Sequence, residues 1–319
     1  MALLSPLALF LASFFILIKG ADVLIRGTSS IAKLFGLSSW FIGMVIVGIG
    51  TSIPEFSINV ASALGGDQIG VAAIMGSNVF NTFIILGVAA IIFPLTLRRE
   101  WVVRDLPLNI AAVLAAIGVI LFPSTHGGGM LGIDRLEGLI LVALLCGWIF
   151  YMLRRGSVKD DDADAEVFSW TTSVLFILFG FVGVFLGGYW VVGSAGAIAE
   201  FFGVSHAFIG FTIVAIGTSL PELVVSMVAA FKKQTSIAVG GIIGSGIFNF
   251  LGVLGFTALI SPIVIRESLT FDIYVVLLTK VVLLLSILFV GKRFTLSRVE
   301  GFGFVLLYIA YVVFLFLRG

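Results

Sequence analysis

Two short stretches carry chemistry that is out of place in the apolar sequence around them: Gly50-Thr51-Ser52-Ile53-Pro54-Glu55 and Gly217-Thr218-Ser219-Leu220-Pro221-Glu222. Each sets a carboxylate and two hydroxyls beside a proline. Ionisable groups at membrane depth are costly, and are retained where they face a wet cavity or bind something. Proline removes a helical amide and pushes away the carbonyl four residues earlier, which predicts freed carbonyls at Gly50 and Gly217. The neighbouring glycine makes local unwinding easier. Carboxylate, hydroxyl and carbonyl oxygens suit hard cations such as Ca2+ and Na+, whereas zinc and copper prefer imidazole or thiolate. Two glutamates neutralise one divalent or two monovalent ions, so the two kinds of ion should compete.

A second pair of segments extends this set. Gly76-Ser77-Asn78-Val79-Phe80-Asn81 maps onto Gly244-Ser245-Gly246-Ile247-Phe248-Asn249. Ser77 and Asn81 are one helical turn apart and share a face, as do Ser245 and Asn249. Their oxygens either face the glutamates or serve ordinary helix packing. Both motifs belong to a longer repeat: 41–55 and 208–222 agree at eleven of fifteen positions, and Pro94 maps to Pro262.

Membrane helices must hold these residues. Hydrophobic residues make up 60% of the chain and charged ones 11%, which excludes an ordinary soluble domain, and a net charge of +1 argues against nucleic acid. A spanning helix needs roughly 20 apolar residues. Such segments are predicted near 3–34, 38–63, 69–92, 102–122, 134–153, 168–201, 205–230, 236–260, 270–290 and 300–317. The expected fold is all-α and transmembrane, with about ten helices as two inverted five-helix repeats. Five is odd, so the second copy enters from the opposite face, and such repeats place a site near the midplane on interrupted helices. The chain divides into a first repeat at 1–153, a charged linker at 154–167 and a second repeat at 168–319.

With an outside N-terminus, twelve basic residues fall on cytoplasmic connections and three on outer ones. This positive-inside bias predicts a multi-pass protein of the plasma membrane with both termini external and the linker cytoplasmic. The first segment lacks a basic start and a cleavage site, so it reads as a retained helix and not as a signal peptide. Asp160, Asp161, Asp162 and Asp164 read as part of a solvated loop, because their spacing does not match an EF-hand. Cys146 reads as core packing, and His126 and His206 as interfacial polar residues. Asp22 and Arg26 should pair at i, i+4, while Lys19 and Lys280 should snorkel towards an interface.

The doubled GTS-x-PE and GS-x-x-x-N segments resemble those of the cation/calcium exchangers, most closely the compact prokaryotic sodium/calcium exchangers, across essentially the whole chain. The resemblance implies an antiporter and not an enzyme, with Na+ and Ca2+ as transported ions and no cofactor. Glu55 and Glu222 would be the shared carboxylates. Thr51, Ser52, Thr218 and Ser219 would add hydroxyl or carbonyl oxygens, Gly48 and Ala215 backbone carbonyls, and Ser77, Ser245, Asn81 and Asn249 the remaining ligands. Helices 2, 3, 7 and 8 would form the core, with helices 1 and 6 sliding across it on Gly20, Gly27, Gly187, Gly188, Gly193 and Gly196. Some members carry aspartate where this chain has Asn249, an acid associated with potassium coupling, which makes potassium dependence less expected here. The alternatives are a proton-coupled cation exchanger and, from another class, a gated cation channel, although conduction favours several sites in file.

Overall fold

The structure, a computed structural model, describes residues 3–65, 69–121, 131–154, 166–202, 217–265 and 269–318. In chain order the helices are α1 (Leu4–Phe35), α2 (Ser39–Thr51 and Ile53–Gly65), α3 (Ile69–Ile92), α4 (Trp101–Leu121) and α5 (Arg135–Arg154). They continue with α6 (Trp170–Phe201), α7 (Leu220–Phe231), α8 (Thr235–Ile260), α9 (Thr270–Phe289) and α10 (Arg298–Arg318). Among the described residues eight helices are long and apolar enough to cross a bilayer, or nine when the bent α2 is counted. The predicted segment at 205–230 is described only from Gly217 onward, as α7. His126, His206 and the acidic run lie outside the described residues.

The chain punctuates these helices in matching ways. Gly36 closes α1 in the left-handed conformation, at φ 61°, where glycine carries no Cβ penalty. Ser38 then opens α2, its hydroxyl accepting the Phe41 amide at 3.1 Å. Phe93 and Ser261 end α3 and α8 in nearly the same extended conformation, φ −141° and −144°. Each precedes a proline, which disfavours helical geometry in the residue before it.

Among the described residues four short strands fix the relation between the two halves. β1 (Leu95–Thr96) follows α3, β2 (Leu131–Ile133) follows α4, β3 (Ile263–Ile265) follows α8 and β4 (Thr295–Leu296) follows α9. β1 pairs antiparallel with β4, and β2 with β3. The strand after the third helix of one half thus meets the strand after the fourth helix of the other. Those two positions share a membrane face only if the halves cross in opposite directions, so the repeat is inverted.

Burial separates centre from periphery. The most apolar stretch of α8 is wholly buried and that of α3 is 72% buried, against 28% for α6 and 17% for α10. α1 and α6 pack against each other through small residues: a Cβ on Gly20 would stand 2.7 Å from Gly183, and one on Gly187 2.6 Å from Leu17. Gly27 meets Ser173 and Phe176 in the same way. Gly188 and Gly193 correct the expectation, since a Cβ on the first would meet only Pro221 at 4.0 Å and on the second nothing described. Cys146 is a second correction: it is exposed on α5. A small apolar thiol is as well accommodated by lipid as by protein, so its apolar setting did not reveal its face.

Candidate cation site

The doubled motif breaks two helices in the same way. Ser52 sits at φ −84°, ψ 7° and Ser219 at φ −90°, ψ 2°, between helical and extended geometry. Helix resumes at once, with the Phe56 amide donating to the Ser52 carbonyl at 3.1 Å and the Leu223 amide to Ser219 at 2.9 Å. Glu55 and Glu222 therefore occupy the first turn of a half-helix, where the positive end of the helix dipole favours a carboxylate. The Gly50 carbonyl, expected to be free, instead accepts the Ser52 amide, because the chain turns tightly at the break; the negative end of the preceding portion of α2 still points to the break, which suits a cation.

These side chains converge from both halves. Glu55 is fully buried and Glu222 is 2% exposed; they lie within electrostatic range of one another. Thr218, in the turn just before α7, faces the Glu55 carboxylate, and in mirror fashion Thr51 of α2 faces that of Glu222. The Ser52 and Ser245 hydroxyls bond each other at 2.7 Å and lie 3.5 and 3.4 Å from Glu222 Oε1. Three helices, α2, α7 and α8, thus meet on one carboxylate. Ser52 also donates to the Gly48 carbonyl at 3.0 Å, and Thr51 to that of Val47 at 3.0 Å.

The Glu55 side is less closely knit. Ser77 turns back to the Ile74 carbonyl at 3.2 Å, and both Glu55 oxygens, Glu222 Oε2 and Ser219 Oγ lack a hydrogen-bond partner among the described residues. So do the amide atoms of Asn81 and Asn249. Each of these two asparagines belongs to a π-helical turn, Asn81–Ile85 in α3 and Phe248–Val253 in α8. Such turns are rare and concentrate at functional sites, where the extra residue re-aims side chains. Buried polar atoms are ordinarily satisfied, so the unpartnered oxygens of Glu55, Glu222, Ser219, Asn81 and Asn249 stand out, and their chemistry is the kind that could hold a hard cation. No group of three or more His, Cys, Asp or Glu occurs among the described residues. The donors are two carboxylates with neutral oxygens around them.

Of the residues expected at this site, all but Ala215 are described, and every one with a side chain is buried. Ala215 lies outside the described residues. The helix crossing behind the site explains Gly48: a Cβ there would stand 2.7 Å from the Ser245 amide, and one on Gly244 would overlap the Met44 carbonyl. Asp22 and Arg26 pair as expected, at 3.2 Å, and Asp22 also binds Lys232 at 2.5 Å. Lys19 is exposed beside the Phe15 ring.

Lys280 contradicts its expected snorkelling. It is 4% exposed, with Nζ 2.8 Å from Thr82 Oγ1 and 3.5 Å from the Asn78 carbonyl. The position of Lys280 in the middle of α9 gives the reason: at 1.5 Å per residue each helix end is roughly 14 Å away. Across the repeat, Asn109 of α4 donates to the Ile243 carbonyl of α8 at 2.8 Å. Neither contact was legible from the motifs.

Such a fold and site define a class: a multi-pass membrane protein built as an inverted repeat around a buried oxygen-lined centre. The chain belongs to the sodium/calcium exchanger protein family, which it matches over residues 5–154 and 172–317, and this is a family of cation transporters, not enzymes. It is 32% identical to the inner membrane protein YrbG of Escherichia coli over 80% of each chain. Its identity to the sodium/calcium exchanger MaX1 of Methanosarcina acetivorans is 28%, over 94% of this chain and 95% of that one. The solved sodium-calcium exchanger NCX_Mj superposes with a TM-score of 0.83 at 27% identity, covering 98% of this chain and 99% of the other.

A hydroxyl that touches Glu222 should matter measurably. Ser52→Ala or Ser245→Ala is expected to weaken Ca2+ binding about tenfold, roughly 1.4 kcal/mol, the scale of one hydrogen bond to a charged group. Calcium-45 binding to the purified protein measures it, and unchanged affinity in both variants would remove these serines from the site.

Proposed function

We infer that this protein is a secondary antiporter that exchanges Na+ for Ca2+ by alternating access, with both ions competing for one site at Glu55 and Glu222. The observation that carries this inference is the pair of buried carboxylates, one per half, whose oxygens are largely without protein partners among hydroxyl and amide groups. Thr51, Ser52, Thr218, Ser219, Ser77, Ser245, Asn81 and Asn249 supply further oxygens, with the Gly48 and Ala215 carbonyls. Without a cation the site is net negative and resists crossing the membrane core; charged by Ca2+ or Na+ it can cross. Exchange follows from that penalty alone. The close glycine contacts of α1 with α6 suit a pair that slides across the core.

The halves are assigned as 1–153 and 168–319, joined by a cytoplasmic linker at 154–167, with both termini outside a plasma membrane. Neutral oxygens around each carboxylate favour Na+ over a proton, which needs no cage. The test is calcium-45 uptake into proteoliposomes under an imposed sodium, proton or potassium gradient. Uptake driven by sodium alone is expected; uptake driven by protons with no response to sodium would replace this reading by its nearest rival.

Asn249 offers a narrower check. Asn249→Asp adds an ionisable group to the cage and is expected to change sodium affinity and to make uptake pH-dependent. Superimposable ion curves for the variant and the parent from mildly acidic to alkaline pH would remove Asn249 from the site.

A further inference from the structure

Asn109 is the one polar side chain in the apolar run of α4 from Leu106 to Leu121. A polar group at membrane depth persists where another helix satisfies it. Its partner lies on α8: Asn109 is 3% exposed, and its Nδ2 donates to the Ile243 carbonyl at 2.8 Å. That carbonyl belongs to a regular helical stretch, Thr235–Ile247, and a carbonyl oxygen has a second lone pair to offer beyond the helical bond. The contact thus fastens α4 to α8 without breaking the helix.

Gly246 supplies the second observation. A Cβ there would stand 2.6 Å from Asn109 Nδ2 and 3.3 Å from Asn78 Oδ1. Ile243 and Gly246 are three apart and share one face of α8, so the Asn109 amide rests across both. In the repeat alignment Gly246 stands where the first copy has Asn78. The second copy therefore lacks a side chain where Asn109 arrives from another helix.

The opposite face of the same turn belongs to the site. Ser245 lies two residues beyond Ile243, roughly 200° around the helix, and its hydroxyl is 2.7 Å from Ser52 Oγ and 3.4 Å from Glu222 Oε1. The second contact is already long for a hydroxyl on a carboxylate, so a small withdrawal of α8 would lose it. On the near side α2 blocks movement, since a Cβ on Gly48 would stand 2.7 Å from the Ser245 amide. Asn109 braces the far side.

We propose that Asn109 is a positioning residue for the cation site: by holding the Ile243 carbonyl it keeps Ser245 on Glu222, and Gly246 leaves the gap through which its amide reaches α8. The proposal rests on the reading of Glu222 and Ser245 as ion ligands. Asn109 itself touches no ion and acts through Ser245.

The test is a double-mutant cycle on the full-length protein, read by equilibrium calcium-45 binding. Asn109→Ala is expected to weaken calcium binding about fivefold, the scale of one hydrogen bond between membrane helices. In a Ser245→Ala background the same substitution should change affinity by less than about twofold, because residues that act as a unit do not add. Gly246→Ala should also weaken binding about fivefold by driving the amide off Ile243, and combining it with Asn109→Ala should bring no further loss, since the collision is then gone. A merely structural role gives independent losses that multiply and follow the melting temperature. Losses of equal size in the parent and in the Ser245→Ala background would overturn the proposal, as would unchanged affinity in both Asn109→Ala and Gly246→Ala. Should Asn109→Ala fail to fold, Asn109→Leu, which removes the amide at similar length, takes its place in the cycle. A parent that binds no calcium refutes the site and this proposal together, whereas additive losses in a parent that does bind it refute only the role of Asn109.

Discussion

Glu55→Gln and Glu222→Gln are each expected to abolish calcium transport, leaving less than about one hundredth of the parent rate. Glutamine keeps the size of the side chain and one oxygen but removes the charge that a divalent ion needs when it leaves water. Both positions are buried in the centre of the fold, in the first turn after a helix break. An uncharged side chain fits there without strain, so the variants should fold and fail only in transport. Calcium-45 uptake into proteoliposomes, with the variants matched to the parent for elution profile, measures this. Substantial uptake by either variant refutes the site.

The second large effect concerns architecture. Gly244→Ala is expected to destabilise the protein by about 3 kcal/mol or more, at or above the upper end of ordinary overpacking. Its Cβ would overlap the Met44 carbonyl, and a backbone carbonyl in a helix cannot rotate aside as a side-chain tip can. The crossing of α2 and α8 would have to widen, drawing Ser245 away from Ser52 and Glu222. Gly118→Ala is the control, because a Cβ there meets nothing within 4 Å among the described residues. Thermal melting in detergent should separate the two variants. Equal melting of Gly244→Ala and the parent would show that this crossing is not closely packed.

Much of this was legible in the sequence, for a physical reason. A bilayer leaves few ways to hide a carboxylate, so Glu55 and Glu222 stand out as candidates by their surroundings alone, and the structure does bury both. Proline and glycine announce where the backbone yields, and Ser52 and Ser219 do adopt almost the same broken geometry. The inverted repeat followed from an odd number of helices per copy, and the crossed pairing of β1 with β4 and β2 with β3 supplies its geometric counterpart.

What the sequence did not reveal depends on neighbours that no local pattern names. The π-helical turns at Asn81 and Phe248 have no composition that distinguishes them from the helix on either side. Cys146 faces outward because of the rotation of α5, which apolar residues on every side leave undetermined. Glycines on α6 looked alike, yet Gly187 meets α1 closely while Gly193 does not, because only one helix face reaches the partner. Lys280 was the avoidable miss. Its distance from both ends of an apolar segment already ruled out an interfacial ammonium, and pointed to a polar partner on a facing helix.

One measurement bears most directly on the central claim of a single shared site: equilibrium calcium-45 binding to the purified protein, titrated with Na+ at constant ionic strength and pH. The expected result is complete displacement of calcium, with a sodium midpoint that rises with calcium concentration and no calcium binding in Glu55→Gln or Glu222→Gln. Calcium that stays bound at saturating sodium, or binding that persists in both variants, would contradict it.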